Sequence, residues 1–116
     1  MSKKEELKKV IGEAMLKFLR EQIGENPKEV NTIIENKIIL VRFKKALPTA
    51  EKHLLMEGVI GVKDLKERIM KGTRPLLEDM IKDLTGAKVI SVHSDVNVET
   101  QERIILLTLD KSLEKD

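Results

Sequence analysis

The spacing of apolar residues predicts two amphipathic helices. In residues 3–23 the apolar positions fall on one side of a helix, and Gly24 is expected to end it. Residues 61–86 predict a second, longer helix, because apolar residues again recur near the helical period between charged ones. Gly86 supplies the expected stop. These two helices are the largest predicted elements of the chain.

Pro75 interrupts the longer helix. It has no N–H to bond the carbonyl of Lys71, and its ring crowds that carbonyl. The apolar stripe resumes in phase afterwards, so the pattern predicts a kink near residues 71–75 rather than two helices. The kink is interpreted as curvature around a core. The alternative is a hinge, or a carbonyl left free to face a ligand.

Two hairpins are predicted from alternating β-branched and polar residues. They cover residues 29–44, with the turn at Asn36-Lys37, and residues 87–109. Residues 46–60 predict a short helix, and residues 110–116 a solvated tail. In the second hairpin, simple alternation places Val89 and Ser91 on the face of His93 and Asp95. The expected fold is therefore α+β: a four-stranded, largely antiparallel sheet made of two hairpins, with an N-terminal helix and a long Pro-kinked helix.

The last strand of each hairpin is apolar on both faces. In the first hairpin Ile39, Val41 and Phe43 point one way, while Ile38 and Leu40 point the other. A strand of this kind is usually covered on both sides. Because the chain is short, the second cover is expected to be another subunit, which predicts a homodimer.

Length and composition bound the class of protein. A chain of 116 residues, 41% of them hydrophobic, predicts a single globular domain over residues 1–116. The 22 basic and 20 acidic residues nearly cancel, so no strong attraction to nucleic acid or to an anionic membrane is expected. There is no cysteine, no apolar run long enough to span a membrane, and a charged beginning, MSKKEELKK. A cytoplasmic protein without direct membrane insertion is expected.

Few residues are candidates for binding a ligand or for catalysis. His93 and Asp95 share one face of a strand and could bind a ligand or relay a proton, but a metal site needs at least three ligands. No metal, cofactor or catalytic residue is therefore predicted, and a structural or interface role for this pair is the alternative. Arg42 and Arg74 could each hold an anion, or form surface ion pairs.

A nucleic-acid-binding role is a weaker alternative. The sequence Gly58-Val-Ile-Gly61 has the GxxG spacing of a KH domain, but apolar residues occupy its middle positions. Aromatic residues, on which bases stack, make up only 2% of the chain. These residues therefore do not predict nucleic acid as a partner.

Several stretches, in their order and spacing, resemble the MpsC family, which is named for a component of a sodium-translocating, membrane-potential-generating system. The resemblance covers roughly residues 6–110, and no single motif in it is diagnostic. The family pattern suggests a glycine at Gln101, which puts the local turn in doubt. The similar stretches are NPKEV at 26–30, IILVRF at 38–43, LPTAE at 47–51, Arg68, RP at 74–75, TGAKVI at 85–90, HSD at 93–95, ER at 102–103 and ILLTL at 105–109.

The resemblance implies a function that composition does not. It suggests a non-enzymatic accessory or regulatory protein of a membrane complex that moves sodium or protons, or that takes up inorganic carbon. Contact with other proteins would then be its mode of action. The family brings no catalytic residues, and we therefore retain Arg42, Arg74, Pro75, His93 and Asp95 only as candidate ligand- or partner-binding residues. A ligand or proton sensor centred on His93 and Asp95 stays open.

Overall fold

The computed structural model describes residues 3–45, 68–97 and 99–114. The predicted short helix at 46–60, the GxxG motif and residues 61–67 of the long helix lie outside the described residues. The described elements are helix α1 (Lys3–Phe18), a π-helical turn (Leu19–Ile23), strands β1 (Pro27–Glu35) and β2 (Ile38–Lys45), helix α2 (Arg74–Thr85), and strands β3 (Val89–Asn97) and β4 (Glu102–Leu109).

The four strands form one antiparallel sheet in the order β1-β2-β4-β3. Each predicted hairpin is present, and pairing of β2 with β4 joins the two hairpins. The turn residues Asn36 and Gln101 both have left-handed backbones, with φ of 55° and 58°. Asn tolerates this conformation well, whereas Gln does so less readily, which explains why a glycine would suit position 101.

Both helices pack against one side of the sheet, which we call the inner face. The core forms there because alternate residues of β2 and β4 meet the apolar stripes of α1 and α2. The α+β architecture predicted from the sequence is therefore confirmed. The main core side chains are Ile11, Met15, Phe18 and Leu19 from the first helix, Leu77 and Ile81 from α2, and Ile39, Val41, Phe43, Ile105 and Leu107 from the sheet.

The first helix ends where the glycine signal places it, but its last turn is unusual. Residues Leu19–Ile23 are π-helical, and Gly24 follows with φ of 79°. Its N–H bonds the carbonyl of Leu19, as does the N–H of Glu25 at 3.0 Å. The extra residue in this turn was not predicted, and it directs Glu25 into the protein interior.

The long helix is irregular within the predicted kink region. Residues 68–72 are helical, and α2 starts after Thr73, whose φ and ψ of −95° and 2° depart from helical values. The Thr73 hydroxyl donates to the carbonyl of Ile69 at 2.9 Å. This backbone carbonyl, next to the irregular residue Thr73, therefore has a hydrogen-bond donor. At the other end Gly86, with φ of 76°, donates to the carbonyl of Lys82 as a C-cap.

Two sequence-based details are wrong. A β-bulge between Val89 and Ser91 shifts the alternation of β3, so Val89 faces the core while Ser91 shares the opposite face with His93. The segment after β4 was predicted to be a solvated tail, but up to residue 114 it is bonded to the first hairpin. The Leu113 N–H donates to the Asn36 carbonyl, and the Glu114 carboxylate accepts the Asn36 N–H.

Candidate functional site on the outer sheet face

The side of the sheet away from the helices carries three of the five candidate residues. We call this side the outer face. Because directly paired residues point to the same side of an antiparallel sheet, the register defines four rows of side chains across it. In strand order these rows are Glu35, Ile38, Thr108 and Ser91; then Ile33, Leu40, Leu106 and His93; then Asn31, Arg42, Ile104 and Asp95; and finally Glu29, Lys44, Glu102 and Asn97.

The centre of the outer face is apolar. Leu40 of β2 lies directly opposite Leu106 of β4, and Ile104 adjoins them in the next row. Ile33 and Ile38 leave 46% and 42% of their surface exposed. Within the described part of the chain no helix covers these side chains, since both helices contribute to the core on the inner face. An apolar sheet surface of this kind is suited to contact with another protein.

Charged residues border this apolar centre. The Nε atom of Arg42 lies 3.5 Å from a carboxylate oxygen of Glu102 on the neighbouring strand. Lys44 lies directly opposite Glu102 in the same sheet. Arg42 is half exposed, so its ion pair adds little to the stability of the fold. The surface ion pair expected as the alternative for Arg42 is therefore present.

His93 and Asp95 are exposed neighbours on the edge strand β3. They face Leu106 and Ile104 respectively, so both sit at the border of the apolar centre. Asp95 and Arg42 belong to the same row with Ile104 between them, which separates their backbones by about 10 Å at the usual strand spacing. Among the described residues, no three His, Asp or Glu side chains come together as a possible metal site.

Arg74 and Pro75 lie elsewhere, at the start of α2. The Arg74 guanidinium donates to the Ile90 carbonyl at 3.2 Å and lies 3.7 Å from a Glu78 oxygen. It thereby meets β3 at its bulge, where Ile90 has no partner in the register. A cleft of about 520 Å³ opens beside it, and the described residues lining it are Met70, Lys71, Arg74, Val92, His93 and Ser94. Arg74 and His93 thus border a common cleft, while Pro75 is exposed in the first turn of the helix.

A buried ion pair links the N-terminal helix to the sheet. Arg103 of β4 donates from Nε to one oxygen of Glu25 at 2.7 Å and from its terminal nitrogen to the other at 3.0 Å. The Ser94 hydroxyl accepts a further bond from Arg103. Both charged side chains are essentially inaccessible to solvent. Sequence reasoning missed this pair, although alternation along β4 does place Arg103 among the inward-facing residues.

These features define the class: a small α+β domain whose sheet carries one apolar, charge-bordered face. The chain belongs to the MpsC family, described as the Na⁺-translocating membrane potential-generating system (MpsC), whose sequence profile matches residues 3–111. It is 29% identical over 108 residues to the uncharacterized protein YbcI of Bacillus subtilis (strain 168), covering 91% of this chain and 87% of YbcI. No solved structure matches it. In the described residues, no helix has the length and apolar character needed to cross a membrane.

Proposed function

We propose that the protein is a cytoplasmic accessory or regulatory protein of a membrane system that translocates sodium or protons, or takes up inorganic carbon. It acts by contact with other proteins and is not itself an enzyme. The outer face is its contact surface. The observation that carries this proposal is the apolar centre of that face, because Leu40, Leu106 and Ile104 lie together with no described helix over them.

Family membership supports the proposed physiological setting. The family description names a Na⁺-translocating system, whereas YbcI is uncharacterized and adds no activity. The arrangement of the outer face supports a contact role, since apolar side chains fill its centre and charged ones its border. Protein interfaces commonly have this composition, with a core depleted of charge and a polar rim.

Affinity capture from the native host tests this proposal. A tagged copy is cross-linked in cells, recovered from detergent-solubilised membranes and examined by mass spectrometry. We expect enrichment of a multi-span protein from a cation- or bicarbonate-translocating complex over a tag-only control. Leu106→Asp should abolish this enrichment, because an aspartate would be desolvated at the centre of the contact. Leu76→Asp is the matched control, since Leu76 is 51% exposed on α2.

The capture experiment can contradict the proposal in two ways. Recovery of the bait without any such membrane protein would refute the accessory role. Equal recovery with wild type and Leu106→Asp, together with loss in Leu76→Asp, would place the contact on the helices and refute the assignment to the outer face. Circular dichroism of both variants must first show a folded protein.

The cleft beside α2 favours a second candidate, a sensor of a small anion. Lys71, Arg74 and His93 are among the residues that line it, although Asp95 is not. Bicarbonate and phosphate are suitable probes in a thermal-shift assay. A stabilisation by either anion that His93→Ala removes would support this function, and no shift with either would contradict it. The nucleic-acid alternative depends on Gly58 and Gly61, outside the described residues, and stays a prediction.

A further inference from the structure

We propose that the outer face joins two copies of this chain. The two sheets pack face to face with aligned strands, and the two-fold axis runs parallel to the strands between β2 and β4. This inference rests on the proposed contact function of the same face. It identifies a second copy of this chain as the protein that covers the face. The membrane complex would then recognise the dimer, so its capture would still depend on an intact outer face.

The register shows that this axis brings apolar residues together. A two-fold axis parallel to the strands keeps every row at its own level and places β2 of one copy over β4 of the other. Leu40 therefore lies over the partner's Leu106, and Ile38 over the partner's Thr108. Each contact occurs twice, because the interface is self-complementary. The apolar centre of one copy thus covers that of the other.

The same axis also pairs opposite charges at the border. Lys44 lies over the partner's Glu102, in both halves of the dimer. Arg42 lies over the partner's Ile104, one strand away from the partner's Asp95, which its long side chain can approach. The edge carboxylates meet neutral groups, since Glu29 lies over the partner's Asn97.

A two-fold axis perpendicular to the strands fits less well. It would reverse the order of the rows and place each strand over the equivalent strand of the partner. Glu29 would then lie over the partner's Glu35, and Leu40 over the partner's Arg42. Facing carboxylates repel one another, and Arg42 would have no carboxylate of the partner beside it, whereas the parallel axis places it near the partner's Asp95. Charge complementarity therefore selects the parallel axis.

The area of the face is sufficient for a weak dimer. Four strands about 4.8 Å apart, with eight residues each rising about 3.3 Å, span roughly 19 by 26 Å. Each copy would bury about 500 Å², or about 1,000 Å² in total, which is about the minimum for a biological interface and below the roughly 1,200–2,000 Å² of stable ones. Aligned sheets pack about 10 Å apart with strands within about 30° of each other. The central rows would therefore provide most of the contact.

Sedimentation velocity on the purified chain tests the interface. We expect a concentration-dependent dimer between about 1 and about 200 µM, because an interface of this size is expected to have a micromolar Kd. Leu106→Asp should raise the Kd at least ~100-fold by placing a charge in the apolar centre. Leu76→Asp should leave the Kd unchanged. A monomeric wild-type protein over this range, or a dimer that Leu106→Asp does not weaken, would overturn the proposal.

A charge-reversal mixture tests the predicted axis. Lys44→Glu alone should set like charges against each other twice in its homodimer, as should Glu102→Lys alone. A heterodimer of the two variants has opposite charges at both contacts, so a 1:1 mixture should favour it over the homodimers by about tenfold in native mass spectrometry. A statistical distribution would overturn this arrangement.

The charge-reversal test separates association from folding. Lys44 and Glu102 also face each other within one copy, but each variant keeps the same internal repulsion before and after mixing. Stability within the subunit therefore cannot produce a preference for the heterodimer. These experiments use purified protein, so loss of the dimer would leave the capture result from host membranes as an independent test of the proposed function.

Discussion

The buried ion pair between Glu25 and Arg103 offers a quantitative test of how the fold is held together. Arg103→Met keeps a long apolar side chain in place but removes both hydrogen bonds to Glu25, which measure 2.7 and 3.0 Å. The buried Glu25 carboxylate would then lose both hydrogen bonds and the positive charge of the Arg103 guanidinium. Breaking one side of a buried pair typically costs about 3–5 kcal/mol. This is a large part of the total stability, which is about 5–15 kcal/mol for a native protein.

The double variant tests whether the pair itself stabilises the protein. Glu25→Leu with Arg103→Met removes both charges together and leaves apolar side chains in the interior. Replacing a whole buried pair is often neutral or stabilising, since the cost of desolvating both ions disappears. We therefore expect the double variant to recover most of the stability lost by either single variant. The coupling energy from the cycle should exceed about 2 kcal/mol.

Urea unfolding followed by circular dichroism supplies the four free energies of the cycle. All variants should carry Leu106→Asp, because association through the outer face would add a concentration-dependent term to the apparent stability. Single variants within about 1 kcal/mol of their parent would refute the argument, because the loss of one partner of a buried ion pair is expected to cost more. A double variant as unstable as the sum of the singles would show that the two side chains act independently.

Two further predictions concern the ends of the hairpins. A hydrogen bond from the Lys4 ammonium, aided by the Asn36 N–H, lowers the pKa of Glu114 below its usual 4.5. The bonds to Glu114 should therefore be present above pH 4.5 and be lost as the pH falls through the lowered pKa. NMR titration should show this, with Lys4→Ala moving the pKa back towards 4.5; an unchanged pKa would contradict the assignment. Gln101→Gly should raise the free energy of unfolding by about 0.5 kcal/mol, because φ of 58° strains a residue with a Cβ. A lower melting temperature for Gln101→Gly would argue against this account.

Strand faces were predictable wherever alternation was unbroken. Ile39, Val41 and Phe43 do face the core, because β2 pairs with both neighbours in a regular register. The prediction failed in β3, where the bulge at Ile90 moves Val89 to the inner face. A bulge adds one residue to a strand, and a shift of one residue exchanges the two faces. Neither Gly nor Pro marks this position in the sequence.

Prediction of the candidate site depended on knowing which strands are neighbours. Arg42, His93 and Asp95 could each be placed on a strand face from the sequence, but only the order β1-β2-β4-β3 brings them to one surface. The buried pair was harder to predict, since Glu25 and Arg103 are 78 residues apart. The π-helical turn that directs Glu25 inwards also adds a residue that helical periodicity cannot reveal.

The difference between edge and central strands is the strongest argument that the outer face contacts a protein. The edge strands are mainly polar on this face, since β1 presents Glu29, Asn31 and Glu35 beside a single Ile33, and β3 presents His93 and Asp95. The central strands depart from it, because Leu40 and Leu106 occupy positions where polar residues would satisfy a monomer. Edge strands that stay polar also discourage pairing through the sheet edge. The apolar residues are thus concentrated where a facing surface would cover them, which favours contact across the sheet face over growth at its edges.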